Sequence, residues 1–290
     1  MISIVIPAYN EAEAIVGTIA GIRRALETTS FSGAEIVVVD DGSADKTGEL
    51  ARECGATVIG HAHNVGYGQS LKSGIAAASN DTIVITDADL TYPPEAIPEL
   101  VAEFERGFDM VVGARTGHHY EGSVFKGPLR NVLKMLVEFT VGRSVPDANS
   151  GMRVFSRKTI HGYLRHLCNT FSFTTSLTMA YMLTGRFVKF VPIAYHARVG
   201  TTKVRLLKDA LRTLQYIVQS IIYYNPLKIF LLLTIVTIVL SATGFVMAAV
   251  TGLTTPYFLG IGGLLMSIIV FALGLLADLL RQILVRAGSD

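Results

Sequence analysis

The sequence predicts an α/β domain on a mostly parallel, Rossmann-like sheet, followed by an amphipathic interfacial helix and a two-helix transmembrane hairpin. Three observations predict it. Short β-rich runs alternate with helical patterns from residue 1 to about 113. No Asp, Glu, Lys or Arg occurs from Ile229 to Ala277, a run of 49 positions. Between these regions, Val204 to Tyr224 repeats apolar residues at helical spacing opposite a basic face.

The elements follow in order. Ile2 to Ile6 is a strand and Glu11 to Thr28 a helix. The alternation repeats with Glu35 to Val39 and Ala44 to Cys54, then Thr57 to Ile59 and Gln69 to Ala78. Thr82 to Thr86 is the fourth strand, and Pro94 to Arg106 a helix with Ile97, Leu100, Val101 and Phe104 on one face. Its prolines fall in a first turn, where a missing N–H is tolerated. Asp109 to Val112 is the next strand. Strands separated by helices form βαβ units, and such sheets bind ligands beyond the carboxyl ends of their strands. From Thr116 to Arg198 the alternation loosens into a polar stretch, helical patterns at Asn131 to Val141 and Thr175 to Leu183, and a β-rich run at Phe187 to Val191.

Arg205, Lys208 and Arg212 share one face of the amphipathic segment, and Leu207, Leu211, Leu214, Val218 and Ile221 the opposite one. A basic face beside apolar residues suits a helix lying at a membrane surface. The uncharged run divides into spans at about 229–250 and 256–277, each 22 residues and each long enough to cross a bilayer core of about 30 Å. The expected domains are therefore 1–203, 204–226 and 227–290. Basic residues flank the hairpin and its connector has no charge, so the positive-inside rule places the N-terminal domain and both termini in the cytoplasm of a two-span membrane protein. No signal peptide is expected, because Ile2 opens directly into a strand pattern. Cys54 and Cys168 lack metal or redox spacing and read as free thiols.

Net charge is +2, from 25 basic and 23 acidic residues, which excludes a nucleic-acid binder of the usual basic kind. Three strand ends carry the chemistry: Pro7-Ala8-Tyr9-Asn10-Glu11, Asp40-Asp41-Gly42-Ser43 and Asp87-Ala88-Asp89. A parallel sheet brings them to one edge, so five acidic side chains are expected to converge there. Like charges gathered in this way need a cation, and hard oxygen ligands suit Mg²⁺ or Mn²⁺ shared with substrate phosphates. In extended backbone Asp87 and Asp89 point the same way. Gly66 to Ser73 mimics a P-loop, but Leu71 stands where that loop needs glycine. His61, His63, His118 and His119 read as solvated rather than as metal ligands.

Together with Asn64-Val65-Gly66, these motifs resemble, in order and spacing, the family 2 glycosyltransferases of the GT-A fold. Arg115, Asp147-Ala148-Asn149-Ser150-Gly151-Met152-Arg153 and Arg198-Val199-Gly200-Thr201-Thr202-Lys203 resemble the polyprenyl-phosphate sugar synthases within that family, among them dolichyl-phosphate mannose synthase and the undecaprenyl-phosphate glucosyltransferases. The resemblance runs from residue 2 to about 228. It implies a nucleotide pocket of Pro7, Tyr9, Glu11, Asp40, Asp41, Asp87 and Ala88, with Asp87 and Asp89 holding Mg²⁺ or Mn²⁺ on the diphosphate. It also implies Arg115, Arg130, Arg198 and Lys203 around the lipid phosphate. Asp89, Arg115, Arg130 and Arg198 are then the residues expected to carry catalysis. The implied reaction is inverting transfer of one hexose from a nucleotide sugar, of the GDP-mannose or UDP-glucose class, to a polyprenyl phosphate in the bilayer.

Two departures stand out. Thr91 occupies the position where many relatives have Gln, which leaves the donor sugar open, and Thr202 stands where Ser is frequent. Processive polysaccharide synthases use a Q-x-x-R-W motif, and this chain has no Trp. The competing readings are a membrane glycosyltransferase acting on another lipid, and a non-catalytic membrane-anchored sugar-nucleotide binder. Oligomeric state is open.

Overall fold

The computed structural model describes residues 1–117, 127–199 and 206–287, excluding the side chains of 127–130, 206–209 and 284–287. Two compact units divide the chain, Met1–Ile217 and Val218–Asp290.

The first unit is a seven-stranded sheet in the order β3-β2-β1-β4-β6-β5-β7. Its strands are β1 (Ile2–Ala8), β2 (Glu35–Asp40), β3 (Thr57–Gly60), β4 (Thr82–Ile85), β5 (Met110–Thr116), β6 (Arg153–Ser156) and β7 (Val188–Ala194). Pairing is parallel except at β6, which runs antiparallel to both β4 and β5. The reversal has a functional consequence. The carboxyl ends of the parallel strands lie at the edge where β6 begins, so the segment leading into Arg153 reaches the same edge as Asp40 and Asp87.

The central strands β1, β2 and β4 are buried along most of their length, which explains their near-continuous Ile and Val runs. Ile15, Ile19, Ile22 and Leu26 line the buried face of α1 (Ile15–Leu26), at the spacing of one helical stripe. The remaining helices of this unit are α2 (Thr47–Glu53), α3 (Tyr67–Ala77), α4 (Ile97–Glu105), α5 (Gly127–Val141), α6 (Arg157–His161) and α7 (Phe173–Leu183). A 3₁₀ turn at Pro94–Ala96 precedes α4. Helix α8 (Leu206–Tyr224) continues past the boundary between the units.

Element bounds shift by a few residues from the sequence expectations, and two differences bear on the site. Helix α1 begins at Ile15 rather than Glu11: residues 11–14 form a turn ahead of it, and the Glu11 N–H donates to Thr47 Oγ1 at 2.8 Å. Strand β6 was not expected, because it lies where the regular alternation of strands and helices loosens. Within α8, Thr213, Ile217 and Ile221 are buried, whereas Leu211 and Leu214 of the expected apolar face are exposed, as a lipid-facing surface would be.

The second unit contains α9 (Pro226–Thr251) and α10 (Thr254–Ala287). Gly252 ends α9 at φ +69°, a left-handed conformation that glycine adopts without penalty. Small residues let the two helices approach closely: a Cβ on Gly244 would lie 2.9 Å from Gly260 N, and Ser241 Oγ donates to Gly260 O at 2.6 Å. Both helices are long and apolar enough to cross a membrane, and only 11% and 17% of their most apolar windows are buried. A core helix of a soluble protein would hide most of that surface.

Candidate functional site at the carboxyl edge of the sheet

The loops after β1 and β2 are laced together. Asn10 N donates to Ser43 Oγ at 2.9 Å, Ala44 N to Asn10 Oδ1 at 2.8 Å, and Ala12 N to Asp45 Oδ2 at 3.1 Å. Asn10 adopts φ +52°, which an Asn tolerates better than most side chains. Pro7 is buried at the end of β1, while Tyr9 and Glu11 are partly exposed at the mouth of this loop pair. Asp40 Oδ1 accepts from Ser43 N at 3.0 Å.

Asp41 turns away into the protein. It is 3% exposed and accepts from Val65 N at 3.0 Å and Gly66 N at 2.9 Å, while His61 Nδ1 lies 2.7 Å from Oδ1. Its carboxylate shapes the loop into α3. His61 also lies 3.0 Å from Ser73 Oγ, so it is a half-buried bridge rather than the solvated side chain expected. His63 is exposed, and His118 and His119 lie outside the described residues. The expected convergence of five carboxylates is thereby narrowed. Among the described residues, no group of three or more His, Cys, Asp or Glu is placed to hold a metal ion.

Asp87 and Asp89 remain as a neighbouring acidic pair. Ala88 between them is buried, and its carbonyl accepts from Thr18 Oγ1 of α1 at 2.9 Å. Asp89 is 1% exposed, and its Oδ1 accepts from Thr91 Oγ1 at 2.5 Å and Thr91 N at 3.2 Å. Its Oδ2 is sealed from solvent and forms an ion pair with Arg198 Nη2, without a hydrogen bond of good geometry among the described residues. The Asp87 carboxyl is pushed up to about 6 by burial and then by the Asp89 charge. A Tyr67 hydrogen bond and the charges of Arg198 and Arg115 oppose that rise. A buried carboxyl whose charge its neighbour opposes, beside a second buried carboxylate, fits a divalent cation completed by substrate phosphate oxygens.

Arg198 arrives from the segment after β7. His196 N donates to Thr91 O at 2.9 Å and Val199 N to Asp89 O at 3.2 Å, binding this segment along the Asp87–Thr91 loop. Burial works against the Arg198 charge, but Asp89, Asp87, Tyr195 and Glu11 together raise its pKa. Arg115, near the end of β5, grips Asp147 through Nε at 2.7 Å and Nη2 at 2.9 Å, and lies 5.4 Å from the centroid of the Tyr195 ring. Arg130 falls within α5, its side chain outside the description, and Lys203 lies outside the described residues. The structure therefore brings Arg115 and Arg198 to the acidic pair and is silent on the other two.

Several contributors had no role assigned from sequence. Arg153 is fully buried, and its guanidinium donates to Ser150 O at 2.8 Å, Ala148 O at 2.6 Å and Thr178 Oγ1 at 2.7 Å. Burial lowers its pKa to about 10. It fixes the turn that presents Asp147 to Arg115 and Gly151 to Asp87. Tyr92 OH accepts from Gly151 N at 2.6 Å and supports the same turn. Tyr67, one residue beyond Asn64-Val65-Gly66, donates to Asp87 Oδ1 at 2.9 Å. The Asp147–Arg153 motif marked the turn in sequence, but nothing there marked Tyr67 or Tyr92.

Residues 3–164, more than half of the chain, match the family model for glycosyl transferase family 2. The chain belongs to that family. Among curated relatives of this family 2 chain is the undecaprenyl-phosphate 4-deoxy-4-formamido-L-arabinose transferase of Salmonella choleraesuis, 35% identical over 177 residues, covering 59% of this chain and 53% of the relative. The Salmonella newport counterpart is 34% identical over the same length. The chain thus spans about half the length of the curated relatives it matches. Among solved structures, glucosyl-3-phosphoglycerate synthase from Mycobacterium tuberculosis with Mn²⁺, UDP-glucose and phosphoglyceric acid aligns with TM-score 0.61 and 22% identity, over 76% of this chain and 79% of that one. Its UDP complex aligns with TM-score 0.60 and 24% identity, over 76% of this chain and 79% of that one. At these identities the likeness establishes the GT-A fold.

Proposed function

We propose that this chain is a membrane-anchored, metal-dependent glycosyltransferase that moves one hexose from a nucleotide sugar to a polyprenyl phosphate, with inversion at the anomeric carbon. The observation that carries the reading is the meeting of opposite charges at one sheet edge. Asp87 and Asp89 stand beside Arg198, and Arg115 is close enough to act on the Asp87 charge. A phosphate-bearing acceptor brought to a metal-bound diphosphate needs these two environments side by side.

Asp87 and Asp89 would hold Mg²⁺ or Mn²⁺, which supplies Lewis-acid stabilisation of the leaving diphosphate. The metal-bound and UDP-bound states named for the Mycobacterium synthase support that choice. Pro7, Tyr9, Glu11, Asp40 and Ala88 form or back the nucleotide wall, and Asp41 acts through the loop that it holds. Departure of the diphosphate builds positive charge on the sugar, as in glycoside hydrolysis. The acceptor needs no general base, because a phosphate monoester with a second pKa near ~6 is mostly a dianion at neutral pH. It needs positioning, which Arg115, Arg130, Arg198 and Lys203 provide, with arginine suited to two parallel bonds to phosphate. Direct displacement by this single nucleophile inverts the sugar carbon.

The undecaprenyl-phosphate acceptor named in the curated relatives supports a polyprenyl phosphate here. Their sugar is a formamido-arabinose, so a donor panel must extend beyond GDP-mannose and UDP-glucose. We assign residues 1–203 to catalysis, 204–226 to the membrane surface and 227–290 to the anchor. The Lys and Arg bias around the hairpin supports a cytoplasmic catalytic unit with both ends on the same side.

Single Arg130→Ala and Arg198→Ala variants test the acceptor assignment. Each should lower turnover on a polyprenyl phosphate by roughly 10- to 100-fold, the scale of a lost hydrogen bond to a charged group. Unchanged turnover in both, or a preference for a lipid hydroxyl such as diacylglycerol, would contradict it.

A further inference from the structure

Tyr67 opens α3, and its hydroxyl donates to Asp87 Oδ1 at 2.9 Å. Separate constraints fix where that hydroxyl stands. Asp41 takes the N–H groups of Val65 and Gly66, and Gly66 turns at φ +106°, which sets the direction in which α3 begins. The Phe171 ring stacks on the Tyr67 ring with centroids 5.7 Å apart and planes 17° from parallel. The backbone before Phe171 presses on α3 itself: a Cβ on Gly66 would lie 2.9 Å from Asn169 O, and one on Gly68 would collide with the Cys168 carbonyl. Gln69 N donates to Asn169 O at 3.0 Å, and Lys72 Nζ donates to Leu167 O and Asn169 Oδ1, both at 2.6 Å. Gly151 closes the space beside the same carboxylate, since a Cβ there would lie 2.8 Å from each Asp87 oxygen.

We propose that Tyr67 is a positioning residue of the metal–diphosphate site, orienting the Asp87 carboxylate by holding one of its two oxygens. The proposal rests on the reading of Asp87 and Asp89 as the residues that hold the cation. Groups that hydrogen-bond a metal-ligating carboxylate fix its orientation, and removing one typically weakens metal binding about 10- to 100-fold.

The test uses Tyr67→Phe in the full chain in lipid nanodiscs, which keeps the ring and its stack and removes the hydroxyl. Mn²⁺ affinity is measured by the electron paramagnetic resonance of free Mn²⁺ with saturating UDP or GDP, and nucleotide affinity is measured separately without metal. Tyr67→Phe should weaken Mn²⁺ binding about tenfold or more while metal-free nucleotide affinity stays within about twofold. Phe171→Ala keeps the hydroxyl but unstacks the ring, and should give a smaller loss in the same direction. Wild-type Mn²⁺ affinity in Tyr67→Phe overturns the proposal. Equal loss of metal-dependent and metal-free binding also overturns it, by making the residue merely structural. Failure of the wild-type chain to bind Mn²⁺ with either nucleotide would sink the metal reading itself, and is seen before any variant is compared.

Discussion

Gly151 has no side chain, and the space where one would stand is taken by a carboxylate. A Cβ there would lie 2.8 Å from both Asp87 oxygens and 2.9 Å from the carboxyl carbon. Gly151→Ala should therefore displace Asp87 and weaken Mn²⁺ binding roughly tenfold, with melting of the full chain by circular dichroism checking that the fold survives. Unchanged affinity would mean that the turn yields instead. Asp147 offers a pH test. Burial alone raises its pKa, but hydrogen bonds and charge from Arg115 overturn that and hold it below the usual carboxylate range. A depressed folded-state pKa adds stability that is present above the unfolded value, near ~3.9, and lost as pH falls through the lower folded value. Melting midpoints should accordingly fall less between about pH 4 and pH 2 in Asp147→Asn than in the wild type. Equal falls would show that the pair contributes nothing to acid stability.

At the scale of elements, α3 shows what a sequence discloses and what it withholds. Its period was readable, and so was the strand-end position of Asp87 and Asp89, because Ile and Val runs fix the buried strands and each strand end follows. Its closeness to the sheet was not readable. Gly74 has no room for a methyl group beside Val5 Cγ1, and Val39 Cγ2 stands 3.0 Å from the same point. Gly74→Ala should destabilise the full chain by about 1–3 kcal/mol, the usual cost of overpacking, measured by chemical denaturation. A neutral outcome would mean that the helix shifts without penalty. Strand β6 escaped for a different reason: it lies beyond the βαβ alternation, and it reverses direction to pair antiparallel with both β4 and β5. Tyr67 and Tyr92 escaped because their partners lie 20 and 59 residues away in sequence. Arg153 was visible within its motif, but its burial and its grip on the turn belong to tertiary packing.

For the molecule as a whole, the division of chemistry is the chief feature. One unit carries a polar edge in which acidic and basic groups meet, and the other carries two helices whose apolar surface is mostly bare. Those two properties suit a reaction whose donor is water-soluble and whose acceptor has a charged head and a hydrocarbon tail. Helix α8 leaves Leu211 and Leu214 exposed, which supports its assignment to the membrane surface.

The most direct test of the central claim is nucleoside diphosphate release by the full chain in lipid nanodiscs with Mg²⁺ or Mn²⁺. A panel of UDP- and GDP-sugars, including a formamido-arabinose donor, is supplied with and without undecaprenyl phosphate, and the lipid product is followed alongside. The account predicts release that requires the lipid phosphate, favours one donor and falls roughly 100-fold or more in Asp89→Ala. Release that proceeds equally without a lipid phosphate, or that survives Asp89→Ala, would contradict it.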